Sequence, residues 1–208
     1  MPAEFDVERL YAAKTPDELT AEYDRVAEGY DSALIERHDW RMPEIMAGIA
    51  AWLLPRSARI LDAACGTGLV GDGLARLGFT DVHGLDLSPG MLVVAGRKGV
   101  YRGLKELALG GALPYATGEF DAFVVSGAFT PRHAPPESFD ELLRVTRPGG
   151  LALFSLRTDD PPPGFSEVIA RLSGTGRWRL LHEGVEFQSL PRAEPHVRNR
   201  IYAYTLNA

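Results

Sequence analysis

ILDAACGTGLVG, residues 60–71, decides the fold of this chain. In it Gly66, Gly68 and Gly71 repeat as G-x-G-x-x-G, directly after a short apolar run and directly before an amphipathic one. That spacing marks a strand-to-helix turn where a nucleotide approaches bare backbone, because glycine removes side-chain bulk and admits left-handed angles. A pyrophosphate seated there would rely on the free N–H groups at the start of the following helix. Asp62, however, stands at the strand end, four residues before the first glycine. A carboxylate in that place repels phosphate and attracts a cation. The loop therefore suits a ligand that carries an amino group and no phosphates, and Gly71 is expected to serve only the packing of the helix on the sheet.

Working outward, strands are expected in ARILDA (58–63), DVHGLD (81–86), YRGLKELA (101–108), FDAFVVSG (120–127) and GLALFSL (150–156). Helical patterns over 69–77, 89–98 and 136–145 separate them. Strands alternating with helices imply right-handed crossovers and a parallel sheet covered on both faces. The prolines of TDDPPPGF (158–165) break the chain, and a helix is expected over 164–173. WRLLHEGVEFQSL (178–190) and VRNRIYAYTLN (197–207) then close the sequence as an antiparallel pair. Before the first strand the pattern is helical from Pro16 to Leu54, with Tyr23, Val26, Ala27 and Tyr30 on one face. Residues 1–57 thus read as a helical cap belonging to the same domain as the α/β portion, 58–208.

Asp86 ends the second strand, where α/β nucleotide folds place a carboxylate on ribose hydroxyls. Its purely structural role would be to cap the helix that begins at Ser88 and Pro89. Cys65, the one cysteine, is expected to be a small packing residue, since the sequence places no base beside it.

Composition narrows the partners. The 208 residues are 45% hydrophobic and carry a formal net charge of −6, which gives no electrostatic reason to expect nucleic acid or an anionic membrane. No apolar run reaches the ~18 residues that span a bilayer. The acidic N-terminal stretch lacks the apolar centre of a signal peptide, so a cytoplasmic protein, monomer or homodimer, is expected. The five histidines are scattered, with no H-x-x-x-H spacing, so no metal is expected.

D-x-A-C-G-T-G at 62–68, L-D-L-S at 85–88, LPYATGEFDAFVVSG at 113–127 and LLRVTRPGGLALFSL at 142–156 follow in register. Together they resemble the class I S-adenosylmethionine-dependent methyltransferases, and within them the small single-domain group acting on small molecules. The resemblance spans about residues 20–157. It implies a Rossmann-like sheet of seven strands, mostly parallel with an antiparallel last strand, and S-adenosylmethionine as cofactor. That molecule has an amine, a ribose and no phosphate, as Asp62 and Asp86 require.

Carried over residue by residue, the resemblance puts Asp62, Ala64, Gly66 and Gly68 around the methionine moiety. Asp86 then meets the ribose, Leu87 and Met91 the adenine, and the Ser126 backbone the amine. Ala64 stands where many relatives have a glycine. Relatives usually carry an acidic residue at the end of the third strand, where this chain has Ala108 and Leu109. Losing that hydrogen bond to adenine costs about 0.5–1.5 kcal/mol. Glu106 replaces it only if the register shifts. Arg41 in the cap is the cationic candidate for the cofactor carboxylate, with Tyr23 and Tyr30 as hydroxyl donors or lid aromatics, or else as helix-face packing.

Methyl transfer needs a positioned nucleophile and, for a protonated acceptor, a base. His133, in FTPRHAPP after the fourth strand, is the leading base, ahead of His38 and His182. Arg132 is placed to orient an anionic acceptor. The expected activity is methyl transfer to O, N or C of a small molecule. Two alternatives stay open: a cyclisation with the cofactor structural, and a nicotinamide oxidoreductase, which Asp62 opposes.

Overall fold

Period-two burial builds the sheet. In the fourth strand, β4 (Phe120–Val125), Phe123 and Val125 join one apolar layer while Ala122 and Val124 join the other. The same alternation runs through β5 (Thr146–Arg157), where Ala152 and Phe154 oppose Leu151 and Leu153. It recurs in β7 (Asn199–Leu206), where Tyr204 and Leu206 oppose Ile201 and Ala203. Strands buried on both faces need helices on both faces.

The structure is a computed structural model that describes residues 7–130 and 133–207. Helices α1 (Val7–Ala12), α2 (Pro16–Asp31) and α3 (Met42–Leu53) precede β1 (Arg59–Ala63). There follow α4 (Leu69–Arg76), β2 (Asp81–Asp86), α5 (Pro89–Arg97), β3 (Gly103–Glu106), β4, α6 (Ser138–Val145), β5, α7 (Phe165–Gly174), β6 (Trp178–Glu183) and β7. The sheet has seven strands in the order β3-β2-β1-β4-β5-β7-β6. Only β7 runs antiparallel, paired with β5 on one side and β6 on the other. The strand order reverses between β1 and β4, which opens a crevice at their carboxyl ends. The expected elements and the closing antiparallel pair are all present.

Two details differ from the expectation. β3 is only four residues long, because Tyr101 turns beneath the sheet edge instead of entering the ladder. β5 starts at Thr146, earlier than expected, with a register irregularity opposite Phe120 and Ala122. The cap helices α2 and α3 are joined by a π-helical turn, Ser32–Arg37, and Asp39 at φ 56° reverses the chain before α3.

One apolar layer joins α6 and α7 to the sheet through Phe139, Phe154, Phe165, Trp178 and Tyr204. Their rings stack and tilt at centroid distances of 4.3–6.0 Å. The other layer joins α3 and α4 through Met46, Ala50 and Leu74. The cap helix α2 packs Val26 and Ala27 against Met91 of α5, and polar contacts flank this apolar patch. Asp24 accepts hydrogen bonds from the Ser88 hydroxyl (2.6 Å) and the Gly90 N–H (2.8 Å), at the N-terminus of α5 where a carboxylate is favoured. Glu28 pairs with Arg97, and Asp31 with Lys98 at 2.5 Å.

Tyr101 packs under the glycine loop. A methyl group added at Gly68 would lie 2.8 Å from its ring, and one at Gly84 3.1 Å. At Gly71 the approach is closer still, to both ring and hydroxyl. Gly71 thus packs the helix, as expected, by leaving the space that one particular ring fills. Gly71→Ala should therefore destabilise the protein by about 1–3 kcal/mol through overpacking. In a Tyr101→Ala background the same change should be neutral or stabilising, as Gly→Ala is inside an unobstructed helix. Denaturant midpoints of the four proteins measure this; equal penalties in both backgrounds would place the strain elsewhere.

Candidate functional site

Left-handed backbone shapes the loop between β1 and α4. Ala64 (φ 61°), Gly66 (φ 54°) and Gly68 (φ 86°) all take positive φ. Glycine adopts this without penalty, whereas Ala64 costs about 1–2 kcal/mol. The reward is that loop N–H groups turn inward. The Gly66 N–H donates to Asp86 Oδ2 at 2.8 Å, and the Ser88 N–H donates to Oδ1 at 2.9 Å. Ser88 caps α5, its hydroxyl accepting the Met91 N–H at 3.0 Å. Asp86 thus ties the two βα loops together while still facing the cavity. Burial raises its carboxyl above the usual range, opposed by N–H groups of Ser88, Gly66 and Leu87.

Asp62 is 1% exposed. The Tyr101 hydroxyl donates to its Oδ2 at 2.6 Å. Its Oδ1 is buried without a hydrogen-bond partner in the protein. Burial pushes this carboxyl up to about 7; the Tyr101 hydrogen bond pulls the other way and the Asp86 charge adds to the rise. Burial also holds the Cys65 thiol well above its ordinary value, which suits packing and not nucleophilic attack.

Above these carboxylates lies a cavity of about 630 Å³ at the carboxyl ends of β1, β2 and β4. Tyr23, Tyr30, Asp62, Ala64, Gly66, Asp86, Leu87, Met91, Ala108, Leu109, Ser126 and His133 all line it. Gly68 does not line it; it opens α4 and closes the turn, its N–H on the Cys65 carbonyl at 2.8 Å. The Ser126 hydroxyl is buried without a partner. His133 sits between two hydroxyls, Nε2 2.8 Å from that of Tyr23 and Nδ1 2.9 Å from that of Thr130.

Arg41 is not brought to the cavity. Its guanidinium turns to Asp39 at 2.7 Å, because the residue lies at the start of α3 on the outside of the chain reversal. Glu106 is exposed and does not line the cavity either. His182 meets Trp52 edge to face, and His38 is not among the lining residues. Arg132 lies outside the described residues. No Lys or Arg occurs among the described lining residues, so loop N–H groups and the tyrosine hydroxyls are the donors at hand for a carboxylate.

Sequence reasoning missed Tyr101, Trp40, Thr67 and the charged face of α2. Thr67 donates to Asp31 at 2.5 Å, and Lys98 reaches the Thr67 carbonyl at 2.7 Å. These contacts join residues 31 to 39 positions apart, and no local pattern signals them.

A family model described as Methyltransferase domain matches residues 61–154. Human methyltransferase-like protein 27 is 38% identical over 167 residues, 76% of this chain and 67% of that protein. The chain belongs to the S-adenosylmethionine-dependent methyltransferases. A demethylmenaquinone methyltransferase from Renibacterium salmoninarum is 36% identical over 158 residues, covering 71% of this methyltransferase and 63% of its own length. The chain thus spans about two thirds of the length of these relatives. Its fold matches a TehB-like enzyme from Corynebacterium glutamicum with a TM-score of 0.65, over 90% of this chain and 99% of that one, at 20% identity.

The residues present fit the cofactor. Asp62 offers a buried acceptor atom with no protein partner, which an ammonium group satisfies. Among the described residues no group of three His, Cys, Asp or Glu side chains could hold a metal ion, and no helix is long and apolar enough to cross a membrane.

In the free methyltransferase Asp62 is half protonated near pH 7. A cationic amine binds the ionised form, so binding below that pH must expel a proton. The Kd for S-adenosylmethionine should rise up to about tenfold per pH unit as pH falls from 7 towards 5, and level off above. Asp62→Asn should bind more weakly and lose this slope. Calorimetry across the range decides; a flat wild-type profile would contradict an Asp62–amine contact.

Proposed function

We propose that this methyltransferase acts on a nucleophilic O, N or C atom of a small molecule, with His133 as the base. The observation that carries the reading is the position of His133. Its imidazole lies in the wall of the cavity that holds Asp62 and Asp86, with a hydroxyl on each ring nitrogen. Bound there, S-adenosylmethionine supplies a methyl carbon on a sulfonium, which the acceptor's lone pair takes while the C–S electrons stay on sulfur.

The protein's part is to bind, orient and move one proton. Asp62 meets the amine, with Ala64, Gly66 and Gly68 keeping the loop close. Asp86 faces the ribose hydroxyls. Leu87, Met91, Ala108 and Leu109 pack the adenine, whose amino group finds no carboxylate at the end of β3. Tyr23 and Tyr30 close the cavity from the cap, and the Ser126 end of β4 borders the amine. With Nδ1 on the Thr130 hydroxyl, His133 Nε2 receives the acceptor's proton in exchange for its Tyr23 hydrogen bond. Orientation in the cavity supplies much of the remaining rate. The relative from Renibacterium, named for a small-molecule substrate, supports transfer to that class over a cyclisation or a hydride transfer.

The purified protein, incubated with S-adenosylmethionine and a panel of small molecules, should form S-adenosylhomocysteine and a product heavier by one methyl. Binding of the cofactor without either product across the panel would count against transfer. Asp86→Ala should raise the cofactor Kd about 10–100-fold, the loss of hydrogen bonds to a charged group. His133→Asn should lower kcat about 100-fold or more while the cofactor Kd stays within about twofold. An unchanged kcat would remove His133 from the proton path.

A further inference from the structure

Part of the cavity lining is built from prolines. Pro135, Pro136, Pro162 and Pro163 line it together with Phe165. None of the four prolines has a backbone N–H, so this wall is poor in donors as well as in charge. The described residues place no Lys or Arg in the lining, and its carboxylates are the two on the glycine-loop side.

The wall is preformed. Gly110 (φ 106°) sits so close to Pro135 that an added methyl would lie 2.7 Å from its ring. Gly164 (φ 84°) stands likewise against Pro136, at 2.9 Å. The segments around 108–111, 134–136 and 162–165 therefore interlock at two glycine–proline contacts. Phe165 is 2% exposed and anchors the last of them, its ring 4.8 Å from that of Phe129. TDDPPPGF, which breaks the chain in sequence, thus lines one side of the cavity.

Charged groups do occur nearby. Arg157 and Glu194 line a smaller adjoining chamber of about 100 Å³ that shares Tyr23, Thr130 and His133 with the cavity. Arg157 is ion-paired there with Asp159 at 2.6 Å. Among the described residues, His133 is the one histidine in the cavity lining.

We propose that the acceptor is a neutral, mainly apolar ring compound bearing one acidic hydroxyl, a phenol or enol, and that anionic and cationic small molecules are selected against. This rests on reading the cavity as the methyl-transfer site. Flat proline and phenylalanine faces suit a ring, and burying an unpaired charge among them is costly. The His133 imidazole, bonded to two neutral hydroxyls, can exchange that of Tyr23 for another of the same kind.

The test is binding to protein saturated with S-adenosylhomocysteine, measured by calorimetry with naphthol, hydroxynaphthoate and naphthylmethylamine. Naphthol should bind at least about tenfold more tightly than either charged compound. Equal or tighter binding of a charged compound, or no binding of naphthol, overturns the proposal. In Pro163→Lys, a change at an exposed position of the rim, hydroxynaphthoate should gain several-fold on naphthol; an unchanged ratio also counts against it. Turnover separates this inference from the reading beneath it. Naphthol bound as expected while no phenol is ever methylated refutes transfer and leaves the binding class standing. Charged acceptors methylated in preference to neutral ones do the reverse.

Discussion

A carboxylate buried beneath a glycine loop, one oxygen on the Tyr101 hydroxyl and the other with no protein partner, is the constraint the rest of the site accommodates. An unsatisfied buried acceptor of this kind costs about 1–3 kcal/mol. The protein keeps it by surrounding it with structure that leaves no easy alternative. Tyr101 fills the space under the loop, and that space exists only because residues 68, 71 and 84 are glycines. An ammonium group placed there would satisfy the free oxygen. A phosphate would meet the wrong charge, which is why a G-x-G-x-x-G spacing here belongs to a methyltransferase.

The cap joins the two halves of the cavity. One polar face of α2 holds the start of α5 through Asp24 and the glycine loop through Asp31. The same helix sends Tyr23 across to His133, 110 residues later in sequence. Loop, cap and proline wall therefore meet at one place without any of them belonging to the same segment. Contacts with the start of α5 and one hydrogen bond to His133 leave the helix tied to both sides of the cavity.

Much of this was legible in the sequence because its signals are local. Asp62, Asp86 and the loop glycines stand at strand ends, where position along the chain fixes position in the sheet. The strand and helix boundaries follow from periodicity for the same reason. Residues whose roles depend on distant partners were not legible. Tyr101 reads as the first residue of a strand, and nothing in YRGLKELA says that its ring turns under a loop built around residue 66. Arg41 looked like a cation for the cofactor because it lies in the cap, yet the left-handed Asp39 beside it turns it outward onto that same aspartate. The prolines of TDDPPPGF could be read as a break, but their place in the cavity depends on Gly164 packing against Pro136, a contact between distant segments.

The measurement that bears most directly on the central claim compares S-adenosylhomocysteine with its analogue lacking the α-amino group, by calorimetry near pH 8. If Asp62 meets the amine, the wild-type protein should bind the deaminated analogue about 10–100-fold more weakly. In Asp62→Asn the two ligands should bind with nearly equal affinity. Equal affinities in the wild-type protein would contradict the account at its base.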